Sequence, residues 1–110
     1  MAKLVWTMRA AINLERICEF IEKDSPEAAA RFVADALELI ESIPEAPLRG
    51  PMVPEYGDPQ LRERLFRRKY RIVYRVTDKA VTILAITHGA RLLENVFEED
   101  ISAEDESDGE

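Results

Sequence analysis

The chain has 110 residues, 46% of them hydrophobic and 34% charged, with a formal net charge of -7. That length suits one compact domain, and a single cysteine, Cys18, excludes an internal disulfide framework and any site built from paired cysteines. Charges at Lys3, Arg9, Glu15 and Arg16 break the N-terminal segment and no long apolar run follows, so neither a signal peptide nor a membrane span is expected, and the expected location is cytoplasmic.

Residues 3–6 (KLVW) form a short apolar strand candidate. Thr7 offers a hydroxyl cap, and 8–23 follows with helical spacing, its apolar stripe running through Ala11, Leu14, Ile17, Cys18 and Ile21. Cys18 on that stripe is expected to be a buried, inert thiol. Ser25-Pro26-Glu27 is a break and a restart: Ser25 can cap, Pro26 needs no N–H at the first helical position, and Glu27 suits the positive end of the helix dipole. The second helix is expected from about Pro26 to Ile43, with Ala29, Phe32, Val33, Ala36, Leu37, Ile40 and Ile43 on its buried side. The short link makes the two helices an antiparallel hairpin.

Residues 44–60 contain five of the six prolines, which excludes both helix and central strand and predicts a stiff surface connection. The apolar period then changes to two. Strands are expected over 61–66, 70–77 and 80–88, and 90–97 forms either a short helix or a last strand. The order β-α-α-β-β-β predicts an α+β domain, with an antiparallel sheet carrying the α-hairpin on one face and leaving the other face open.

The net charge divides unevenly along the chain. Residues 98–110 (EEDISAEDESDGE) carry eight acids and no base, whereas 1–97 sum to +1. The domain is therefore expected over 1–97, followed by an acidic, flexible tail. Positive charge concentrates instead in 61–76 (LRERLFRRKYRIVYRV). Strand alternation turns Tyr70, Ile72, Tyr74 and Val76 toward the helices, with Arg71, Val73 and Arg75 on the opposite side. Arg62, Arg64 and Phe66 are expected to join that arginine face, with Glu63 pointing inward. Guanidinium rows suit phosphates or carboxylates, but edge strands also carry Arg and Lys simply to discourage aggregation. The acidic tail could fold back on this face as an intramolecular polyanion, or serve only solubility.

Glycine-rich phosphate loops, HExxH and cysteine pairs are absent, so no cofactor and no metal are expected. His88, the single histidine, precedes Gly89 at a strand end, where it can act as a general acid or base or simply pack.

Ala10, Leu14, Ile17, Phe20 and Ile21, then SPEAAARF, then LRE, YRIVYRV and VTILAITHGAR together resemble the RelE/ParE superfamily of type II toxins, the plasmid-stabilisation proteins, over residues 3–93. The resemblance implies a growth-inhibiting toxin neutralised by a cognate antitoxin, needing no cofactor and no membrane. In the RelE-like branch, ribosome-dependent mRNA endonucleases, the matching positions are Arg62, Arg75, His88 and Arg91, with Glu63 as a further base. ParE-like members bind DNA gyrase and are not nucleases. The near-neutral body and the absence of a basic C-terminus favour the ParE-like branch, a protein-binding inhibitor rather than an enzyme. Its partner-binding residues are expected to be Arg62, Arg64, Arg71, Arg75, His88 and Arg91. A third possibility is an inactive relic that only binds antitoxin.

Overall fold

Thr7 joins the first strand to the first helix. In the computed structural model, which describes residues 2–89, β1 spans Lys3–Trp6 and α1 spans Met8–Glu22. The Thr7 hydroxyl accepts from the Ala10 N–H at 3.0 Å and donates to the Ile83 carbonyl at 2.7 Å. One buried side chain thus caps α1 and ties its start to the sheet. α2 spans Pro26–Ser42, with the Ser25 hydroxyl accepting from the Ala28 N–H at 3.0 Å and Pro26 in the first turn. Ala29, Phe32, Ala36, Ile40 and Ile43 are buried as expected, with Val33 and Leu37 half-buried.

The buried stripe of α1 is rotated from its expected position. Ala10 and Leu14 are buried, Ala11 is exposed, and Cys18 is only half-buried. The cause is the anchorage of α1 to the sheet: Asn13 Oδ1 accepts from the Ile86 N–H at 2.9 Å, which adds to the Thr7 tie and turns Ala10 inward.

β2 (Leu61–Phe66), β3 (Tyr70–Val76) and β4 (Ala80–His88) lie within one residue of expectation. The sheet order is β1-β4-β3-β2. β2–β3 and β3–β4 are antiparallel, but β1 pairs parallel to β4 from Lys3↔Ala80 to Trp6↔Ile83, so the sheet is mixed. β1, β4 and β2 thus run one way and β3 the other, and the segment before β2, whose Met52 bridges antiparallel to Arg62, brings the chain back to the start of β2.

A bulge shifts the β3–β4 register between Val73/Tyr74: Tyr74 pairs with Ile83 and Val73 with Ala85, leaving Leu84 as the extra residue. Val81, Ile83 and Ile86 pack on the helix side with Ile72 and Tyr74, whereas Leu84 and Ala85 both pack on the other side with Val73 and Leu61. The two rows expected along β4 therefore exchange faces midway.

That second apolar face needs a cover, and the proline-rich segment supplies it. After 3₁₀ turns at Ile43–Glu45 and Pro47–Arg49, the chain runs beside β2. The Glu63 N–H donates to the Pro51 carbonyl and the Val53 N–H to the Leu61 carbonyl, each at 3.0 Å. Val53 is fully buried there. The face expected to stand open is thus partly closed.

The β2–β3 turn places Arg67 and Arg68 at φ 53° and 60°, a left-handed pair that hairpin twist favours and glycine or asparagine normally fills. Arg67 compensates through α2: its guanidinium contacts Asp35 Oδ2 at 2.7 Å and lies 5.2 Å and 5.4 Å from the Phe32 and Phe66 ring centroids. Among the described residues, no helix is long and apolar enough to cross a membrane. The element expected over 90–97, Arg91 within it, and the acidic segment lie outside the described residues.

Candidate functional site

Residues directly opposite one another in an antiparallel pair share a face. Arg62 stands opposite Tyr74, Arg64 opposite Ile72, and Phe66 opposite Tyr70, all on the helix side. Arg71 and Arg75 stand opposite Leu65 and Leu61, on the other side. The single arginine face expected from alternation does not form. Phe66 decides the phase of β2: its ring packs edge-on against Phe32 at 5.2 Å, and Arg64 and Arg62 must follow at intervals of two.

Arg71 is only 8% exposed. Its guanidinium donates to both Glu55 oxygens, Nη1 to Oε2 at 2.7 Å and Nη2 to Oε1 at 2.8 Å, and its Nε donates to Glu63 Oε1 at 2.8 Å. Glu63 therefore does not point inward among the helices; it faces Arg71 across the second face. The hydrogen bonds to Glu55 raise the Arg71 pKa most, burial opposes them, and Glu63 raises it further. The cation is permanent, and it clamps the loop carrying Glu55 onto the sheet.

Arg62 is also employed within the fold. Its Nε donates to the Pro59 carbonyl at 2.8 Å and its Nη1 to the Gly50 carbonyl at 3.3 Å, so it ties the middle of the proline-rich segment to its C-terminal end. Beside it the Tyr74 hydroxyl, on a fully buried side chain, donates to the Pro47 carbonyl at 2.8 Å. Gly50 must be glycine here, because a Cβ would lie 2.3 Å from the Glu63 carbonyl oxygen and 2.7 Å from the Tyr74 hydroxyl.

Burial raises the Tyr74 pKa from its ordinary 10.0, against smaller lowering effects of Arg64, the Gly50 backbone and Arg62. A raised folded-state pKa gives stability that is fully present below the unfolded value and is lost as pH climbs through the folded one. Tyr74→Phe should therefore cost about 1–2 kcal/mol near neutrality, through the lost bond to Pro47. The gap to the parent should narrow above about pH 10, where only the parent must lose a proton from a buried phenol. Urea melts of both proteins between pH 7 and 11 measure this; a constant gap would refute it.

Of the remaining expected residues, Arg75 and His88 lie far apart. Arg75 pairs with Thr82 and His88 with Tyr70, and these points lie six positions apart along β4, roughly 20 Å of strand. His88 is exposed at the rim of a groove of about 370 Å³ between α1 and β4. β1 stops opposite Ile83, so from Leu84 to His88 the edge of β4 has no strand neighbour among the described residues. α1 closes that edge with Asn13, and the groove opens above it.

Arg9, Asn13, Arg16 and Phe20 line the α1 wall, with spacings of four, three and four that place them on one helical face. Tyr70 and His88 form the other wall, their ring centroids 6.1 Å apart at 71°. Phe20 is 70% exposed, and among the described residues no carboxylate lines the groove. Cationic, aromatic and amide groups of this kind can hold a carboxylate or a phosphate. Sequence reasoning missed the α1 wall because it followed the apolar stripe; the polar series 9, 13, 16 was visible beside it. No cluster of metal-ligating side chains occurs among the described residues.

Residues 4–93 match the family described as the ParE toxin of the type II toxin-antitoxin system, parDE. The chain is 38% identical over 92 residues to "Toxin RelE2" of Caulobacter vibrioides, covering 84% of this chain and all of that protein. Its fold resembles a chain of the solved "Chromosomal ParDE TA system from P. aeruginosa" with a TM-score of 0.67 and 28% identity, over 80% of this chain and 96% of that one. The α+β plan with its four-stranded sheet is thus shared with a ParDE structure. The chain belongs to the ParE toxin family, within the RelE/ParE superfamily of type II toxins.

Proposed function

We propose that this toxin arrests growth by binding DNA gyrase in the cytoplasm and that a cognate antitoxin neutralises it. The observation that carries the ParE-like reading is the dispersal of the residues an RNA-cutting site would need. Arg62 is bound to two backbone carbonyls of the proline-rich segment, and Arg75 and His88 stand at opposite ends of β4. A phosphate held at Arg75 is out of reach of His88. The family match and the solved ParDE relative support the same branch, and that toxin-antitoxin system supports an antitoxin as partner.

The second reading, a ribosome-dependent endonuclease, draws on the similarity to Toxin RelE2 and on the Arg16, Tyr70 and His88 side chains that share the groove. Purified toxin should inhibit supercoiling by gyrase, and the cognate antitoxin should reverse the inhibition. Undisturbed supercoiling, together with messenger cleavage in a purified translation system, would replace the gyrase reading with the second one.

A further inference from the structure

The turn between β2 and β3 carries three cations in a row, Arg67, Arg68 and Lys69, all of them exposed. Two of them stand where the backbone favours other residues. Arg67 and Arg68 are left-handed, at φ 53° and 60°, and a glycine would relieve the crowding of Cβ there. Arg67 has a local reason for its place, through Asp35 and the Phe32 and Phe66 rings. Arg68 has none: among the described residues its side chain makes no hydrogen bond, ion pair or ring contact, and neither does that of Lys69. The turn is nevertheless held still. The Lys69 N–H donates to the Phe66 carbonyl at 3.2 Å and closes it, and the Gly89 N–H donates to the Lys69 carbonyl at 2.6 Å and fastens it to the end of β4.

We propose that this turn is a docking tip for the phosphate backbone of duplex DNA, with Arg68 and Lys69 as its phosphate-binding side chains. Backbone strain kept at an exposed position, in a turn pinned from two sides, fits a contact made outside the chain. Charge adds to this. Arg31, also exposed, lies one helical turn before Asp35 on the same side of α2, with Glu27 a turn further back. Four cations against those two carboxylates leave the tip positive. Shape favours a duplex, because the end of a two-stranded ribbon is narrow enough to enter the major groove. Composition favours DNA over a protein. No residue of the turn is apolar, whereas protein interfaces are built around apolar and aromatic centres. The exposed Leu65 stands opposite Arg71, on the second face of the sheet.

A contact of this kind positions the protein and reads no sequence. Because the turn is already fixed, little ordering of the backbone accompanies binding. The tip would strengthen the hold of the toxin on DNA-bound gyrase, and its affinity for DNA is the same whether or not gyrase is the target.

The test titrates a fluorescein-labelled DNA duplex of about 20 base pairs and mixed sequence with the full-length chain, at several salt concentrations. The logarithm of the binding constant should fall with that of the salt with a slope of about -2 to -3, as two or three phosphate contacts require. Arg68→Gly combined with Lys69→Gln should weaken binding at least fivefold at the lowest salt and flatten the slope by about 2. Arg68→Gly by itself should raise the melting temperature, since it relieves the left-handed strain, so lost binding cannot be laid to misfolding. Arg49→Gln, which removes a cation of the second 3₁₀ turn, should leave binding unchanged. No binding to the duplex at the lowest salt, or an unchanged slope in the double variant, would overturn the proposal. So would tighter binding to a polyglutamate peptide of about 20 residues, which would make the tip a receptor for an acidic protein segment instead.

Discussion

Arg71→Ala is expected to lower the free energy of unfolding by about 3–5 kcal/mol, a large share of a small domain's total. The alanine would leave Glu55 and Glu63 facing each other without the cation. Their side chains are only 11% and 20% exposed, so water cannot replace it fully. Part of the loss should come from the proline-rich segment, because Glu55 fastens that segment to the second face above Val53 and Leu61. Arg71→Lys should recover little, since an ammonium cannot reach both Glu55 oxygens and Glu63 in the fork geometry. Removing all three charges together, with Arg71→Met, Glu55→Gln and Glu63→Gln, should cost much less than Arg71→Ala alone. Urea denaturation of the three proteins decides the matter. A loss below about 1 kcal/mol for Arg71→Ala would show that the clamp contributes no more than a surface pair.

This cluster also marks where sequence reasoning stops. Local signals were legible: Thr7 and Ser25 cap the helices they were expected to cap, and the strand limits fall within a residue, because caps and alternation act over a few positions. The Arg71–Glu55 pair joins residues sixteen apart across a proline-rich loop, and no local pattern encodes it. The bulge at Leu84 was hidden for a different reason. Both rows of β4 are apolar, so a change of phase leaves the pattern intact. In β2 the alternation itself was clear, but its phase depended on which residue met α2. Phe66 does, and the arginines were therefore divided between the two faces. The groove needed one more fact, that β1 ends at Trp6 and leaves the edge of β4 to α1. The polar series on α1 has meaning only once that edge exists.

Phe32→Ala should be the most damaging change in the helix layer, at about 3–5 kcal/mol. Phe32 is 2% exposed and meets Phe66 and Tyr70 edge-on, each at 5.2 Å, while Arg67 lies over its face. Phe32→Leu keeps most of the bulk and removes the two ring contacts, so a smaller loss of about 1–3 kcal/mol is expected. A double-mutant cycle with Arg67→Ala should give a coupling of about 0.5–1 kcal/mol, the share due to the cation over the ring. A coupling near zero would assign the turn's stability to the Asp35 pair alone. The same substitution reaches the groove without touching it. Phe32 backs Tyr70, and Tyr70 stands edge-on to His88, so the smaller leucine removes the support behind one wall. The His88 ring protons should then shift in the spectrum of Phe32→Leu while the caps at Thr7 and Ser25 stay protected from exchange. Unmoved His88 signals would mean that the rim is held from outside the aromatic row. Shifted signals would tie the core of α2 to the His88 end of β4.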